Sequence, residues 1–553
     1  MLCAFSAGLA LGYPGLPLKA LAATQPSVGP ATATAPAPPS AGVDVPNIPT
    51  VLGTLDASRY AAIFALQGEG NWKAADAQIE LLKDKTLLGT VLAQRYLDGR
   101  YKTSFDEARA WLEQYADLPD ARAVWTLARK YAPRKGGPSL PTPMPASEQV
   151  AAPIDPAMAA DAAATAQVPL PVEPPLVNLE PPARFEAGLA AWRAKRWSDA
   201  AGDFEAVARS SETASWYAAA GAFWAARAHL MLKEPQKTDS WFAVAAEQPR
   251  TFYGMLARRT LGLSPDARFD RQPLSKAEEA QLQALPGGHR ALALVQVGET
   301  DRAEAELRAL STRGKSLASA IVALADLANM PSLCLALTRQ TRDDPRHVDS
   351  LYPVPRWEPR NGFSVDRALL FALMMQESRF DADAQGGGGA AGLMQLMPGT
   401  AKAVARRAGI PLKSVAELVD PVLNLSLGQE YVKQLIEYDQ INGNLILVLA
   451  AYNSGTAPLA KWQSLPEYQS DPLLFIEALP RETTRLYVER VLTNMWIYRQ
   501  RLGQEAPDLE ALAANKWPTY VSMNAAAKAP VAVAPKSVAT LPTQGPAQHA
   551  EAR

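Results

Sequence analysis

The sequence predicts a mainly α-helical protein, in which a helical solenoid precedes a second helical domain that carries the chemistry. Long Ala-rich stretches place apolar residues at steps of three and four, which is the spacing of amphipathic helices. Proline-rich spacers interrupt these stretches, and a chain of 553 residues is too long for one compact core. Several helical domains joined by extended spacers are therefore expected.

The N-terminal segment, MLCAFSAGLALGYPGLPLKALAAT over residues 1–24, resembles a secretory signal peptide with cleavage near Ala22 or Ala23. It departs from the usual pattern because Lys19 is its first basic residue. Residues 25–50 are rich in Pro, Ala and Ser and are predicted to be a disordered spacer. We therefore expect an exported, periplasmic protein.

Five further segments follow from composition and periodicity. Residues 51–131 show helical spacing and are predicted to be part of a superhelix, and residues 132–183 form a Pro/Ala-rich linker. In residues 184–345, small and aromatic residues alternate in a way that resembles stacked tetratricopeptide-type hairpins. Residues 346–520 contain all the motifs that suggest catalysis or ligand binding. Residues 521–553 are a predicted disordered tail.

Charge and metal-ligand residues exclude several classes of function. The net charge is -1 and no long basic block occurs, so no nucleic-acid partner is expected. The two cysteines, Cys3 and Cys334, cannot form a disulfide framework, and the four histidines are scattered without ligand spacing. No metal site is therefore predicted.

One acidic residue stands out on an apolar helix face in ALLFALMMQESRF. Ser364 is predicted to cap this helix and Asp366 to lie in its first turn. Glu377 falls in the apolar stripe, where burial raises the pKa of a carboxyl group and keeps it protonated for general acid catalysis. The alternative is a buried ion pair with Arg379 or Arg485.

A glycine-rich segment follows this helix directly. The run Gly386–Gly389 lets a ligand or another backbone approach closely, and the following GLMQLM offers Gln395 as donor and acceptor and Met397 as apolar surface. Pro398 then begins a predicted helix that Gly409 ends.

A strongly apolar helix in NLILVLAAYNSG is predicted to end at Gly455. It places Tyr452 and Asn453 at its end. Polar tips on an apolar body suit the wall of a ligand groove, whereas buried hydrogen bonding is the alternative interpretation.

Five strings in order resemble the soluble lytic transglycosylases: ALMMQESRF, GLMQLMPGTA, DPVLNLSLGQEYV, LAAYNSG and TTRLYVERVL. The resemblance covers about residues 351–517. It implies a lysozyme-like, mainly α catalytic domain with minor β-structure, preceded by a helical superhelix. The earlier strings TFYGMLARRTLG and LLGTVLAQRYL are similar to the superhelical part of that family.

The resemblance also implies roles for individual residues. Glu377 corresponds to the single catalytic acid and base of the family, within an ES pair with Ser378. The residues that correspond to the saccharide groove around this acid are Ser378, Gln395, Met397, Tyr452, Asn453 and Tyr487.

The sequence departs from the family at three places. Gly386 stands where a serine is common near the catalytic carboxyl, Thr483 replaces the glutamate of an ETR motif, and Thr456 replaces a common proline after AYN. These departures affect the expected subsites and leave Glu377 intact.

The resemblance implies cleavage of the β-1,4 bond between N-acetylmuramic acid and N-acetylglucosamine in peptidoglycan, with formation of a 1,6-anhydro end. No cofactor is needed, and the expected partner is the glycan strand. A monomer is expected, and an association with the membrane or with other cell-wall enzymes stays open. The alternatives are a lysozyme-like hydrolase and a non-catalytic peptidoglycan-binding scaffold.

Asp381 lies four residues after Glu377, and on an unbroken helix the two could form the carboxylate pair of a glycosidase. The segment RFDADAQGG favours a helix end instead, with Asp381 and Asp383 in turns.

Overall fold

The structure is a computed structural model that describes residues 48–133, 138–144, 181–263, 269, 274–313, 315–341 and 349–524. The predicted signal peptide, nearly all of the first spacer, most of the 132–183 linker and the tail after residue 524 lie outside the described residues.

The described residues form 23 α-helices, and their only β-structure consists of isolated bridges, so the mainly α prediction is confirmed. In the part before residue 346 the helices are α1 Thr54–Gly68, α2 Trp72–Ile79, α3 Leu88–Leu97, α4 Phe105–Tyr115, α5 Ala121–Tyr131, α6 Ala183–Arg193, α7 Trp197–Arg209, α8 Ser215–Met231, α9 Pro235–Ala246, α10 Phe252–Thr260, α11 Lys276–Gln283, α12 Pro286–Gln296, α13 Thr300–Leu310, α14 Lys315–Leu327 and α15 Pro331–Thr341. After it they are α16 Arg367–Glu377, α17 Pro398–Ala408, α18 Pro421–Ile436, α19 Leu445–Ser454, α20 Leu459–Gln463, α21 Pro472–Ala478, α22 Glu482–Arg501 and α23 Pro507–Ala513.

Consecutive helices of the first part pack against each other, as the hairpin pattern predicts. The alternation of small and aromatic residues has a direct cause at Gly188. A Cβ atom at this position would lie 2.6 Å from the ring of Phe204, so only glycine lets α6 and α7 approach this closely. Trp192 and Trp224 then meet edge to face, with ring centroids 5.1 Å apart.

The first helices also share a core with helices far along the chain. Apolar residues of α1 to α3, such as Ile63 and Val91, share one core with Leu292 and Ile321 of α12 and α14. The side chain of Gln296 accepts hydrogen bonds from the Val51 and Leu52 amides at 3.0 and 2.9 Å.

A buried ion pair strengthens the same region. Arg290 of α12 contacts Glu306 of α13 at 2.6 Å and Asp117 at 2.9 Å. Burial raises the pKa of Glu306 to about 7, although Arg290 opposes the shift. Glu306 is 2% exposed, so its charge depends on this arginine.

The second domain is built around α16, which is buried from Ala368 to Met374 and packs against α22. Asp366, not Ser364, caps this helix, so that part of the sequence prediction was wrong. The helix begins at Arg367, and Asp366 directly before it accepts from the Ala368 and Leu369 amides at 3.0 and 3.3 Å. The Ser364 amide instead donates to the Gln429 side chain at 2.8 Å.

Other predicted helix ends are confirmed. Pro398 begins α17, and Gly409 follows its end with a φ of 66°, the left-handed conformation that favours glycine. Gly455 follows the end of α19. The predicted tail begins with residues that still pack on this domain, because the Met523 amide donates to the Asp366 carboxylate at 2.5 Å.

The two parts of the chain share a continuous core. Residues of α6 to α10 lie in the same apolar cluster as residues of α16 to α23. Within the described residues, no helix is long and apolar enough to cross a membrane.

Candidate active site

Glu377 is the last residue of α16 and is half-buried at the end of the apolar helix. Burial raises the pKa of its carboxyl group to about 7. The Tyr487 hydroxyl donates a hydrogen bond of 2.6 Å to Glu377 Oε1. This bond favours the ionised form and offsets only part of the rise in pKa that burial causes. A fraction of Glu377 is therefore protonated near neutral pH.

The predicted ion-pair alternative for Glu377 does not occur in the described residues. Arg485 pairs with Glu477 and donates to the Tyr217 hydroxyl, and Arg379 donates to the Leu335 carbonyl at 2.7 Å. The pKa of Glu377 is shifted by burial and by Tyr487 alone, without a neighbouring charge.

Asp381 does not share a helix face with Glu377. The helix ends at Glu377, and Arg379 and Phe380 follow with φ values of 53° and 62°, which turn the chain away. Asp381 is exposed, and its carboxylate accepts from the Asp383 amide at 3.0 Å, as in the predicted turn.

Two parallel tyrosine rings form a wall beside Glu377. Tyr487 of α22 and Tyr452 of α19 have ring centroids 6.5 Å apart and planes within 10°. The Tyr452 hydroxyl donates to the Met394 carbonyl at 2.8 Å, so α19 holds the glycine-rich segment. Burial raises the pKa of both hydroxyls well above the ordinary value, and both remain donors at physiological pH.

The glycine-rich segment between α16 and α17 forms a tight loop with bridges from Ala391 to Gln385 and Leu396. Gly392 has a φ of 76°, and a Cβ atom there would lie 2.2 Å from the Leu418 carbonyl oxygen. Asn424 of α18, which is fully buried, accepts from the Met394 amide at 2.9 Å and donates to Ala391 and Leu418 carbonyls. These buried hydrogen bonds and the close approach at Gly392 fix the conformation of the loop.

Ser378 ties this loop to the helix that carries Glu377. Its hydroxyl donates to the Leu393 carbonyl at 2.8 Å and also contacts the Met374 carbonyl at 3.2 Å. Both hydrogen bonds are made to backbone carbonyls, so the Ser378 side chain holds the loop against the end of α16.

Gln395 and Met397 lie at the open side of the loop. The Gln395 amide nitrogen donates to the Ala384 and Gly392 carbonyls at 3.0 and 2.9 Å. Its Oε1 lies 2.3 Å from where a Cβ atom on Gly386 would be, so the glutamine fills the space that a serine side chain would need. Met397 is 44% exposed and presents apolar surface.

Asn453 is exposed at the end of α19. Its Oδ1 accepts from the Thr484 hydroxyl at 2.9 Å, and Thr484 lies on α22 together with Tyr487. Sequence reasoning missed Thr484 as well as Tyr431, whose ring lies 5.3 Å from Tyr452, because no local signal predicts contacts between distant helices.

The arrangement combines one carboxyl group of raised pKa, tyrosine donors, an exposed amide and apolar surface. It can transfer a proton to a ligand atom and accept one back. Among the described residues, no group of three or more His, Cys, Asp and Glu side chains is arranged to bind a metal ion.

A comparison with protein families matches the part of the chain that contains Glu377, Gln395 and Tyr452 and ends before Tyr487. A protein-family model described as Transglycosylase SLT domain matches residues 358–474. The chain is 33% identical over 158 residues to the soluble lytic murein transglycosylase of Escherichia coli K12, and the match covers 28% of the chain and 24% of that relative. A similar match of 32% over 145 residues is found in Salmonella typhimurium, covering 26% of the chain and 22% of the relative. The matched part thus spans about a quarter of these curated relatives.

Two solved structures are also similar. An inactive mutant of the lytic transglycosylase Slt from Pseudomonas aeruginosa gives a TM-score of 0.48 at 22% identity, covering 82% of this chain and 68% of that one. The 70-kDa soluble lytic transglycosylase of E. coli gives 0.47 at 18% identity, covering 84% of this chain and 99% of that one.

Proposed function

We propose that this chain, in which residues 358–474 form a Transglycosylase SLT domain, is a peptidoglycan lytic transglycosylase. It cleaves the β-1,4 bond between N-acetylmuramic acid and N-acetylglucosamine and leaves a 1,6-anhydro end. The observation that carries the proposal is Glu377, a single carboxyl group of raised pKa with a tyrosine hydroxyl on one oxygen. The enzyme would serve cell-wall remodelling or turnover.

Glu377 acts first as the general acid. Oε1 accepts from the Tyr487 hydroxyl at 2.6 Å, so the carboxyl proton is placed on the other oxygen. From there it is donated to the oxygen that links the two sugars, and the bond from that oxygen to C1 of N-acetylmuramic acid breaks. The leaving sugar departs as a neutral alcohol.

Glu377 acts next as the general base. The N-acetyl group of the muramic acid residue stabilises the positive charge at C1, which replaces the second carboxylate of other glycosidases. The ionised Glu377 then takes the proton of the C6 hydroxyl, and this oxygen bonds to C1. No water is consumed, and the carboxyl group is protonated again.

We assign the substrate contacts to the side chains around this carboxyl group. Met397 offers apolar surface to a sugar face, and Asn453 offers an exposed amide. Tyr452, Tyr487, Gln395 and Ser378 complete the groove or hold its loop. The exposed Met397 and the half-buried Tyr452 ring support this assignment, because ligand pockets combine apolar and aromatic surface with a few placed polar groups.

The products of digestion test the reaction type. Purified peptidoglycan sacculi are incubated with the protein, and the released muropeptides are analysed by mass spectrometry. Anhydro ends support the lyase, and a gain of water would support the hydrolase. A protein that binds sacculi without releasing fragments would support the scaffold.

The Glu377→Gln variant tests the acid itself. Glutamine keeps the shape of the side chain and removes the transferable proton, so we expect a loss of activity of at least about 100-fold. Variants of Asp381 and Asp383 serve as controls because both lie outside the site. Sacculus release by Glu377→Gln at the parent rate would contradict the proposed role.

The proposed substrate sets the expected location and partners. Peptidoglycan strands lie in the periplasm, where the N-terminal signal-like segment would deliver the protein. The glycan strand is the partner, and we expect the protein to act as a monomer. Fractionation of cells that express the full chain tests the location.

A further inference from the structure

Helix α22 presents two faces to two different parts of the protein. Thr484 and Tyr487 point toward the candidate site, where they contact Asn453 and Glu377. Arg485 and Glu489 lie on the opposite side of the helix, because the helical period turns positions 485 and 489 away from positions 484 and 487. One rigid element therefore carries both sets of side chains.

The outer face of α22 is held by residues of the preceding helical part. Trp216 of α8 donates from Nε1 to the Glu489 carboxylate at 2.9 Å. Arg485 donates from Nη2 to the Tyr217 hydroxyl, also at 2.9 Å. All four side chains are buried, and none is more than 7% exposed.

Helix α10 adds two further contacts. The Tyr253 hydroxyl donates to Glu477 at 2.5 Å, and Glu477 contacts Arg485 at 3.3 Å. The ring of Phe252 stacks on Trp496 of α22, with centroids 5.3 Å apart and planes within 17°. The helical part thus fixes α22 by directional hydrogen bonds and by a ring stack.

Polar groups in this position are costly unless each one has its partner. Glu477, Arg485 and Glu489 are buried together, and the Arg485 guanidinium group contacts Glu477. Trp216 and Tyr253 donate hydrogen bonds to the two carboxyl groups, and the Tyr217 hydroxyl accepts one from Arg485. These directional bonds to Arg485, Glu477 and Glu489 favour one position of the helix over others, although Arg485 Nε has no hydrogen-bond partner among the described residues.

We propose that Trp216 and Tyr217, which bond α22 directly, and Tyr253, which bonds Glu477 of α21 and through it Arg485, are positioning residues that hold this face of α22 and thereby fix the Tyr487 hydroxyl against Glu377. The helical part would then set the geometry of the acid. This inference rests on the proposed function for its kinetic consequence, and its geometric part concerns Glu377 alone.

The transmission needs only a small displacement. Tyr487 lies two residues from both Arg485 and Glu489 on the same helix. A hydrogen bond of 2.6 Å weakens steeply as its atoms separate, so a shift of a few tenths of an ångström would weaken the contact with Glu377. Because that bond lowers the pKa of Glu377, its loss changes the titration of the acid in a known direction.

The test uses Tyr217→Phe, which removes the hydroxyl and keeps the ring, and Trp216→Phe, which removes the Nε1 donor and replaces the indole with a smaller ring. We expect kcat to fall roughly 3- to 10-fold with KM changed less than about twofold, because geometry is lost and binding surface is kept. The alkaline limb of the pH–rate profile should move to higher pH, as it should in Tyr487→Phe. Either variant suffices if the other fails to fold.

Coupling is measured in a Tyr487→Phe background. There the contact with Glu377 is already absent, so the added changes at Trp216 or Tyr217 should have little further effect on kcat or on the pH profile. Equal effects in both backgrounds would overturn the proposal, as would a lower melting temperature with an unchanged pH profile.

Arg259→Gln is the matched control. Arg259 of α10 pairs with Glu510 of α23 across the same boundary, but both side chains are about half-exposed and neither contacts α22. We expect this change to leave kcat and the pH profile as in the parent. A control that shifted the profile as much as Tyr217→Phe would show that any weakening of the boundary suffices, which overturns the specific assignment.

A measurement without turnover separates this inference from the proposed function. Glu377 is titrated by carbon NMR of glutamate-labelled protein, with Glu377→Gln to identify its signal. Tyr217→Phe should raise the midpoint of that titration even if the parent proves inactive on sacculi. An unchanged midpoint with active parent protein would overturn the positioning role alone.

Discussion

At the scale of single residues, the site depends on one carboxyl group that its surroundings keep partly protonated near neutral pH. Helical spacing placed Glu377 in an apolar stripe, and the structure gives its carboxyl a pKa of about 7. The spacing could not predict Tyr487 as its partner, because the two lie 110 residues apart and on different helices. Local periodicity contains no information about which helices meet.

Glu377→Gln should make the folded protein more stable at alkaline pH. The pKa of the carboxyl group is about 7 in the folded state and 4.5 in an ordinary glutamate, which represents the unfolded state. The parent therefore loses stability as the pH rises from the lower value to the higher one. The neutral amide has no such loss, and its advantage at pH 8 should reach up to about 3 kcal/mol.

Thermal unfolding of both proteins from pH 4.5 to 8 measures this difference. The melting temperature of the variant should rise relative to the parent as the pH rises. Parallel curves across the range would mean that Glu377 titrates as an ordinary glutamate.

The departure at Gly386 also belongs to this scale. Gln395 Oε1 occupies the space beside Gly386, so Gly386→Ser should displace the amide and cost about 1 kcal/mol through its lost hydrogen bonds. Adding Gln395→Ala frees that space, and the cost of the serine should then largely vanish. Melting temperatures of the single and double variants measure this coupling.

Gly387→Ser is the control for that pair, because a Cβ atom at Gly387 has nothing within 4 Å. It should be neutral with either residue at position 395. A serine at 386 that was equally costly in both backgrounds would show that Gln395 does not compete for the space.

At the scale of elements, the sequence predicted helix ends where the signal was chemical and local. Pro398, Gly409 and Gly455 bound helices as predicted. The cap of α16 was assigned to Ser364, although Asp366 was available two residues later. The serine was unavailable as a cap because the chain reaches the helix only at Arg367.

The loop before α17 depends on Gly392 more than on its neighbours. Gly392→Ala would place a Cβ atom 2.2 Å from the Leu418 carbonyl in a left-handed conformation. We expect a loss of about 2–4 kcal/mol from the strain and the displaced backbone. Chemical denaturation monitored in the second domain measures it.

Gly409→Ala separates the two causes. Its φ of 66° carries the same left-handed strain, but a Cβ atom there has nothing within 4 Å. It should cost only about 1–2 kcal/mol. Equal losses at both positions would mean that the contact with Leu418 adds nothing.

At the scale of the whole molecule, the first helices are joined to the later ones by buried charge. Arg290→Met would leave Glu306 buried without its partner and should destabilise the protein by about 3–5 kcal/mol at pH 8. The folded pKa of Glu306 is already about 7 and would rise further, so protonation should restore stability as the pH falls toward 5.

The deficit in melting temperature against the parent, measured at pH 8 and pH 5, checks this. Arg308→Met is the control, because Arg308 pairs with Glu304 on the half-exposed surface of one helix and should matter little. A deficit that did not shrink at pH 5 would contradict the role of Glu306.

Composition and periodicity predicted the mainly α class of the described residues. They did not predict that α1 to α3 share a core with α11 to α15, since residues such as Val91 and Ile321 are apolar in any helical arrangement. Long-range pairing of similar helices is decided by shape and by single contacts such as Gln296 with Leu52.

The core that α1 to α3 share with α11 to α15 has a consequence for synthesis on the ribosome. Ile63 and Val91 leave the exit tunnel long before Leu292 and Ile321 exist to cover them. Until then the nascent chain exposes apolar helix faces to the solvent, and such faces bind holdase chaperones or associate with one another. A chain that stops just before α11 contains α1 to α10 but lacks the helices that cover Ile63 and Val91. We therefore expect this fragment to aggregate, which sedimentation would show.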